Sequence, residues 1–379
     1  MKTKLIILFA VILSTLSALK AQQTINGTLL HDGLDREYIL YIPDAYDPAT
    51  PAPLLLSFHG FTSNAQLNFS FTRLSAIADA EGFILIHPQG ELFNGITHWN
   101  VGGFTIGSTI DDVGFVAALL DDVSNSYNID QERIYSTGMS NGGYMSFLLA
   151  CQLSDKIAAV ASVTGSMTPQ TFNNCDPQHP MPVLQIHGTA DDVVPYNGGP
   201  VWTTSIDEVL EYWVDYNNCN SSPLVTDVED TNTADGSTVE YLVYGEGNNC
   251  VATEHLKIFN GGHDWPGAWG NMDINASEEV WKFLSQYNIN GLIGCETTST
   301  AEASHSDISL NIFPNPASNQ LTIEKETVDT EAFKIYSRLG EVMLTGQLTS
   351  GVNTIDISIL SPNIYFFKTE NQLVKIIKM

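Results

Sequence analysis

Arg133-Ile-Tyr-Ser-Thr-Gly-Met-Ser140-Asn-Gly-Gly-Tyr-Met-Ser-Phe-Leu-Leu-Ala-Cys151 combines three signals in 19 residues. The opening run is β-branched and aromatic, as a strand requires, and the closing run is apolar and long enough for a helix. Between them stands Gly138-Met-Ser-Asn-Gly142. A glycine-x-serine-x-glycine match is weak alone in a chain with 29 glycines; its weight comes from the strand before it and the helix after it. This is the arrangement in which a serine is held at a tight, strained turn. The flanking glycines are needed because side chains there would strike the neighbouring strand and helix. Ser140 also opens a helix, whose free N–H groups face an incoming oxyanion.

Outward from this turn, short strand-like runs alternate with helix-like segments. Residues 38–42, 54–58, 83–87, 133–136, 158–163, 183–187 and 256–259 read as strands; 111–127, 142–153 and 276–287 read as helices. Asp111 and Asp112 suit the start of the first of these helices, where negative charge complements the dipole. That alternation implies βαβ units and an α/β fold with a mostly parallel sheet flanked by helices. Residues 288–306 are polar and aperiodic, a linker composition. Residues 307–379 change texture to seven short strands between turn residues, a small all-β sandwich without His, Cys or Trp and so without assigned chemistry.

A serine hydroxyl needs a base to remove its proton, and the base needs a third group to orient it. His263 lies in Asn260-Gly-Gly-His-Asp-Trp-Pro-Gly267, a Gly/Pro loop just past a strand. The carboxylate is Asp191 or its neighbour Asp192, at the end of the strand closing in His187-Gly-Thr-Ala-Asp191. All three positions follow strand ends, where open α/β sheets place ligands. Two N–H donors must face the developing oxyanion: Asn141, after the serine, and Phe61, in the loop His59-Gly60-Phe61 after an early strand. His59 reads as an organiser of that loop and His187 as a structural, hydrogen-bonded histidine. Trp99 and Trp265 are candidates for the substrate cleft, with Trp202 and Trp269 behind them. No metal or organic cofactor is called for by this chemistry.

The chain has 379 residues, of which 43 are acidic and 15 basic, for a formal charge of −28; 43% are hydrophobic and 10% aromatic. The apolar content excludes wholesale disorder, and the negative charge argues against nucleic-acid partners and anionic membranes. Lys2 and Lys4 precede an apolar run of about 15 residues from Leu5 to Leu19, and Ala21 offers a small cleavage residue. That run is shorter than the ~20 residues a membrane span needs, so residues 1–21 are expected to be a removed signal peptide and the mature form to have no membrane span. The domains expected are therefore 1–21, 22–287, 288–306 and 307–379. Export favours disulfides. Cys151, Cys175, Cys219, Cys250 and Cys295 leave the pairing open; neighbours in sequence would give Cys151–Cys175 and Cys219–Cys250, with Cys295 odd. No closely spaced pair suggests zinc.

Residues 32–287 resemble the secreted esterases that include polyhydroxybutyrate depolymerases and feruloyl or acetylxylan esterases. The resemblance rests on Arg36-Glu-Tyr-Ile-Leu-Tyr-Ile-Pro43, His59-Gly60, Asp111-Asp-Val-Gly-Phe115, Gly138-Met-Ser-Asn-Gly-Gly143, His187-Gly-Thr-Ala-Asp191 with Val194-Pro-Tyr196, and Gly261-Gly-His-Asp-Trp-Pro-Gly267. It implies an α/β-hydrolase fold, a Ser140–Asp191–His263 triad with an acyl-enzyme, and a polyester or plant-wall ester as substrate. It also supports the two cysteine pairs named above. The tail resembles a type IX secretion sorting domain, through Ile312-Phe-Pro-Asn-Pro-Ala-Ser318, Tyr336, Leu339-Gly340, Ile364-Tyr-Phe366 and Val374-Lys-Ile-Ile-Lys378. That implies the secretion machinery as partner and a product released outside the cell or attached to its surface. A serine peptidase or acyltransferase on the same fold, or a non-catalytic secreted binding protein, is the alternative.

Overall fold

The computed structural model describes residues 22–295, 311–325, 330–337, 342–369 and 373–379. The expected leader, 1–21, lies outside these residues, as does 296–306 of the expected linker. The chain divides into two compact units, Met1–Thr297 and Thr298–Met379.

The first unit begins with a hairpin, β1 (Gln23–His31) and β2 (Leu34–Ile42), followed by β3 (Ala52–Phe58). Helices α1 (Ala65–Thr72) and α2 (Leu74–Glu81) lead to β4 (Ile84–Pro88) and a short hairpin, β5 (Leu92–Phe93) and β6 (Ile96–Thr97). Helix α3 (Asp112–Ser126), capped by the Asp111 carboxylate on Gly114 N–H, precedes β7 (Ile129–Met139) and α4 (Asn141–Gln152). Then come β8 (Ala159–Val163), α5 (Pro169–Asn173), β9 (Val183–Gly188) and α6 (Ile206–Tyr216). The unit closes with β10 (Leu224–Asp227), β11 (Thr238–Tyr244), β12 (Thr253–Phe259), α7 (Ala276–Leu284) and the hairpin β13 (Tyr287–Asn288) and β14 (Gly291–Leu292).

Ten strands form one sheet in the order β1-β2-β4-β3-β7-β8-β9-β12-β11-β10. From β4 to β12 neighbours run parallel; the strands beyond them on both edges are antiparallel. Every residue of β3, β4, β8 and β9 is buried, as strands covered on both faces require. Successive side chains of β3 serve opposite layers. Leu54 and Leu56 pack in a core that includes Phe115 of α3, Phe147 of α4 and Trp213 of α6. Leu55 packs on the other side, in a core with Leu74 of α2 and Trp281 of α7. This is the expected α/β-hydrolase architecture. The predicted strands are present, several of them longer, and so are the three predicted helices. Strands β1, β5, β6, β10, β11, β13 and β14 and helices α1, α2, α5 and α6 lie outside the runs that the sequence pattern marks. Helix α6 carried a signal: Ser205 and Glu208 form a reciprocal capping box at its start. The first unit also runs on beyond Tyr287, through β13 and β14 to Cys295, into residues whose composition reads as linker.

The second unit is all β. Strands β15 (Asn311–Phe313), β16 (Gln320–Lys325) and β19 (Gly351–Asp356) make a three-stranded sheet. Strands β18 (Val342–Leu348), β17 (Glu331–Ser337), β20 (Asn363–Lys368) and β21 (Leu373–Lys378) make a four-stranded one. Leu321 and Ile323 from the first sheet share one core with Ile335 and Phe367 from the second, the packing of a sandwich.

Candidate active site

Ser140 stands between β7 and α4 with φ 54° and ψ −119°, a region non-glycine residues rarely occupy. The surroundings hold it there. Its N–H donates to Val163 O at the end of β8 (2.8 Å), and its carbonyl accepts from Tyr144 N–H in α4 (3.0 Å). Gly142 allows the sharp turn, since a Cβ there would collide with the Phe58 carbonyl at the end of β3. The strand thus reverses into a helix within one residue, and the serine remains partly exposed at the top of the sheet.

Adjacent parallel strands end at the same edge, so the loops after β7, β8, β9 and β12 meet there. Asp191 follows β9 and His263 follows β12. The His263 Nδ1–H donates to Asp191 Oδ2 at 2.8 Å. The carboxylate is fully shielded, while 18% of the imidazole side chain is exposed. Burial pushes the Asp191 carboxyl up. The His263 hydrogen bond, the favourable electrostatics of the His263 and His187 rings, and the Val194 N–H outweigh this and hold it below its ordinary value. Its other oxygen accepts the N–H groups of Val193 and Val194 at 2.9 and 2.8 Å. Asp192, the alternative acid in the sequence reading, is exposed. His187 is fully buried; its Nε2 bonds Val194 O at 2.9 Å and its Nδ1 accepts from the Gln185 amide at 3.0 Å.

The loop after β3 lies against the serine: a Cβ on Gly60 would sit 3.5 Å from the Ser140 Cβ. The His59 ring bonds the Gly60 carbonyl at 2.8 Å through Nδ1 and accepts the Gly90 N–H at 3.0 Å on Nε2. Burial lowers its pKa to about 4, keeping it neutral. The next amides in this turn are taken, Thr62 by Thr97 O and Ser63 by Gly60 O. That leaves the Phe61 N–H without a backbone partner among the described residues. Asn141 is the first residue of α4, where N–H groups have no preceding turn to bond.

The tryptophans correct the sequence reading. Trp265 is 1% exposed, donates its indole N–H to Ser277 Oγ at 3.0 Å, and packs on Phe71. Trp99 is wholly buried and hydrogen-bonded to His59 O and Asn141. Neither presents a face to a substrate; both fill the core, where a large apolar ring gains most. Phe61, Phe104 and Trp202 are partly exposed rings, Phe104 meeting Phe61 and Trp202 edge to face at 5.9 Å and 5.8 Å. Phe104 was not singled out in the sequence, lying in a loop with no periodic pattern.

The cysteines need a second correction. Cys151 pairs with Cys175, as expected, but Cys250 pairs with Cys295 and Cys219 is a free, half-buried thiol. The hairpin β13–β14 returns the chain beside the 248–250 turn, bringing Cys295 within reach of Cys250. Among the described residues no group of three or more His, Cys, Asp or Glu side chains is arranged to hold a metal ion. No helix among them is long and apolar enough to cross a membrane.

Residues 36–193 match the family described as esterase PHB depolymerase, and residues 311–379 match the secretion system C-terminal sorting domain. The chain is 30% identical over 273 residues to a bifunctional acetylxylan esterase/xylanase of Neocallimastix patriciarum, covering 71% of this chain and 36% of that protein. It is 27% identical over 289 residues to feruloyl esterase C of Emericella nidulans, covering 73% and 98% respectively. To a probable feruloyl esterase C of Aspergillus oryzae it is 32% identical over 213 residues, covering 52% and 73%. The chain spans under half the length of the Neocallimastix protein and of feruloyl esterase B of Piromyces equi, at 36% and 46%. Among solved structures, an acetyl xylan esterase from Aspergillus awamori superposes with a TM-score of 0.49 at 14% identity, covering 70% of this chain and 98% of that one. The chain belongs to the PHB-depolymerase family of esterases and carries a type IX secretion sorting domain, which marks it for export.

Proposed function

We propose that the first unit is a secreted serine esterase in which Ser140 is the nucleophile, His263 the general base and Asp191 its orienting carboxylate. The observation that carries this reading is that a strained, partly exposed serine and a shielded Asp–His pair follow strands of one sheet at the same edge. Ser140 Oγ attacks an ester carbonyl while His263 Nε2 takes its proton. His263 then passes that proton to the leaving alkoxide, and water cleaves the acyl-enzyme by the same steps in reverse order. Asp191 keeps the Nδ1 proton in place, so that Nε2 is the basic nitrogen. The N–H groups of Phe61 and Asn141 receive the oxyanion of the tetrahedral intermediate.

The substrates that fit are esters of plant-wall polysaccharides, acetyl or feruloyl, and hydroxyalkanoate polyesters. The partly exposed Phe61, Phe104 and Trp202 rings favour an aromatic or extended apolar acyl group. Assay of methyl ferulate, acetylated xylan, 3-hydroxybutyrate oligomers and a peptide anilide tests this, with Ser140→Ala as the control. At least one ester should be turned over, and Ser140→Ala should lower that kcat by about 10⁴–10⁶. Cleavage of the anilide alone would make the protein a peptidase. Turnover retained by Ser140→Ala would remove the mechanism.

A further inference from the structure

The two N–H groups assigned to the oxyanion come from separate pieces of chain, the loop after β3 and the first residue of α4. Trp99 ties them together. Its indole Nε1–H donates to His59 O at 2.9 Å, on the loop that carries Gly60 and Phe61. Its backbone N–H donates to Asn141 Oδ1 at 2.7 Å, and its carbonyl accepts from Asn141 Nδ2 at 3.1 Å. The indole is also fixed edge to face against Phe58 at 5.0 Å. The next residue anchors this link to the core: Asn100 N–H donates to Asp112 Oδ2 at 2.7 Å, and Asp112 Oδ1 accepts from Arg36 Nη2 at 2.6 Å.

We infer that Trp99 is a positioning residue for the oxyanion site, holding the Phe61 and Asn141 N–H groups at a fixed separation through its three hydrogen bonds. This rests on the esterase reading above. An oxyanion is stabilised only by donors about 2.7–3.1 Å from where its charge develops, and an error near 1 Å costs on the order of 10²-fold in rate. Asn141 is held at both ends of its carboxamide, so α4 cannot rotate its first N–H without breaking both bonds to Trp99. The loop of Phe61 is coupled to the same residue through one N–H···O bond. Loss of that bond lets the two donors move independently while each remains present.

The test compares Trp99→Phe, and a protein carrying 3-benzothienylalanine at position 99, with the wild type. The benzothienyl ring keeps the size and shape of indole but has no N–H, so it reports even if Trp99→Phe does not fold. Both should lower kcat about 10–100-fold with KM changed by less than about threefold. A boronic acid, which becomes tetrahedral on Ser140, should bind weaker by the same factor, and the product acid should bind as before. Benzothienylalanine with kcat within twofold of wild type would overturn the inference. So would a loss of boronate binding matched by an equal rise in KM and in the product dissociation constant. A wild-type protein that neither hydrolyses esters nor binds the boronate would remove the esterase reading too. An active wild type equalled by both variants would remove this inference alone.

Discussion

His187 Nε2 lies 3.4 Å from Asp191 Oδ2, the same oxygen that accepts the His263 hydrogen bond. The Gln185 amide donates to His187 Nδ1, so the proton of this imidazole is on Nε2 and points toward Val194 O and the carboxylate. Burial lowers the His187 pKa, so it stays neutral and faces Asp191 with an N–H dipole. Asp191 is thus fixed from both of its oxygens by Val193, Val194, His187 and His263. Such a frame suits the orienting role proposed for Asp191, whereas its neighbour Asp192 is exposed.

Asp191→Asn should therefore reduce kcat by about 10⁴ with little change in fold, because the amide favours the wrong His263 tautomer. Asp192→Asn, at an exposed position, should remain within a few-fold of wild type. Steady-state kinetics with a soluble ester, alongside circular dichroism, separates the two. Equal losses would contradict the assignment.

Buried neutral histidines should make the protein acid-sensitive. Burial lowers the pKa of His59 to about 4, and of His87 and His255 to about 3. Unfolded, each returns to an ordinary value near 6.5. Between those values the unfolded chain binds more protons, so stability falls as pH drops from about 6.5 toward 3–4. Each histidine contributes up to about 1.4 kcal/mol per pH unit. The depressed Asp191 adds in the same direction at lower pH; Asp112, raised by burial against the pull of Arg36, opposes it. Urea midpoints at pH 7.5 and 5.0 should show a clear fall at the lower pH. A higher midpoint at pH 5.0 would contradict this account.

Arg36 and Asp112 form an ion pair with side chains 1% and 0% exposed, and the guanidinium lies 4.0 Å over the Phe115 ring. Removing one charge leaves the other buried and unpaired. Arg36→Met should cost about 3–5 kcal/mol, and Arg36→Met with Asp112→Leu should recover part of that loss. Chemical denaturation of the single and double variants measures both.

The disulfide pattern makes a covalent prediction. Non-reducing peptide mapping should recover Cys151 with Cys175 and Cys250 with Cys295. Cys295→Ser should cost about 3–4 kcal/mol, given a sequence separation of 45 residues. Cys219→Ser, which breaks no bridge, should cost about 1 kcal/mol or less. A Cys219–Cys250 peptide would contradict the structure.

The central sheet was legible because β3, β4, β8 and β9 are short, apolar and bounded by turn residues, and because Ser140 sits at a junction with its own signature. Strand β1 alternates between exposed and half-buried residues, and β10 is exposed throughout. Such edge strands owe their existence to pairing with a neighbour and carry little pattern of their own. Side-chain destinations were harder. Trp265 is two residues from His263 in sequence, yet the chain turns it inward onto Phe71 and Ser277. Trp99 looks like a cleft residue in a Gly-rich loop; its burial depends on contacts with Asn141 and His59, 42 and 40 residues away. The Cys250–Cys295 bridge depends on a short hairpin inside a segment whose composition reads as linker. Long-range packing decided each of these, and local sequence does not encode it.

The claim on which the functional account rests is that Ser140 carries the acyl group. Labelling the intact protein with a fluorophosphonate, then locating the adduct by peptide mass spectrometry, measures this directly. The account predicts one adduct per chain, on the peptide containing Ser140, absent from Ser140→Ala and strongly slowed in His263→Ala. No adduct, or an adduct on another residue that survives in Ser140→Ala, would contradict it.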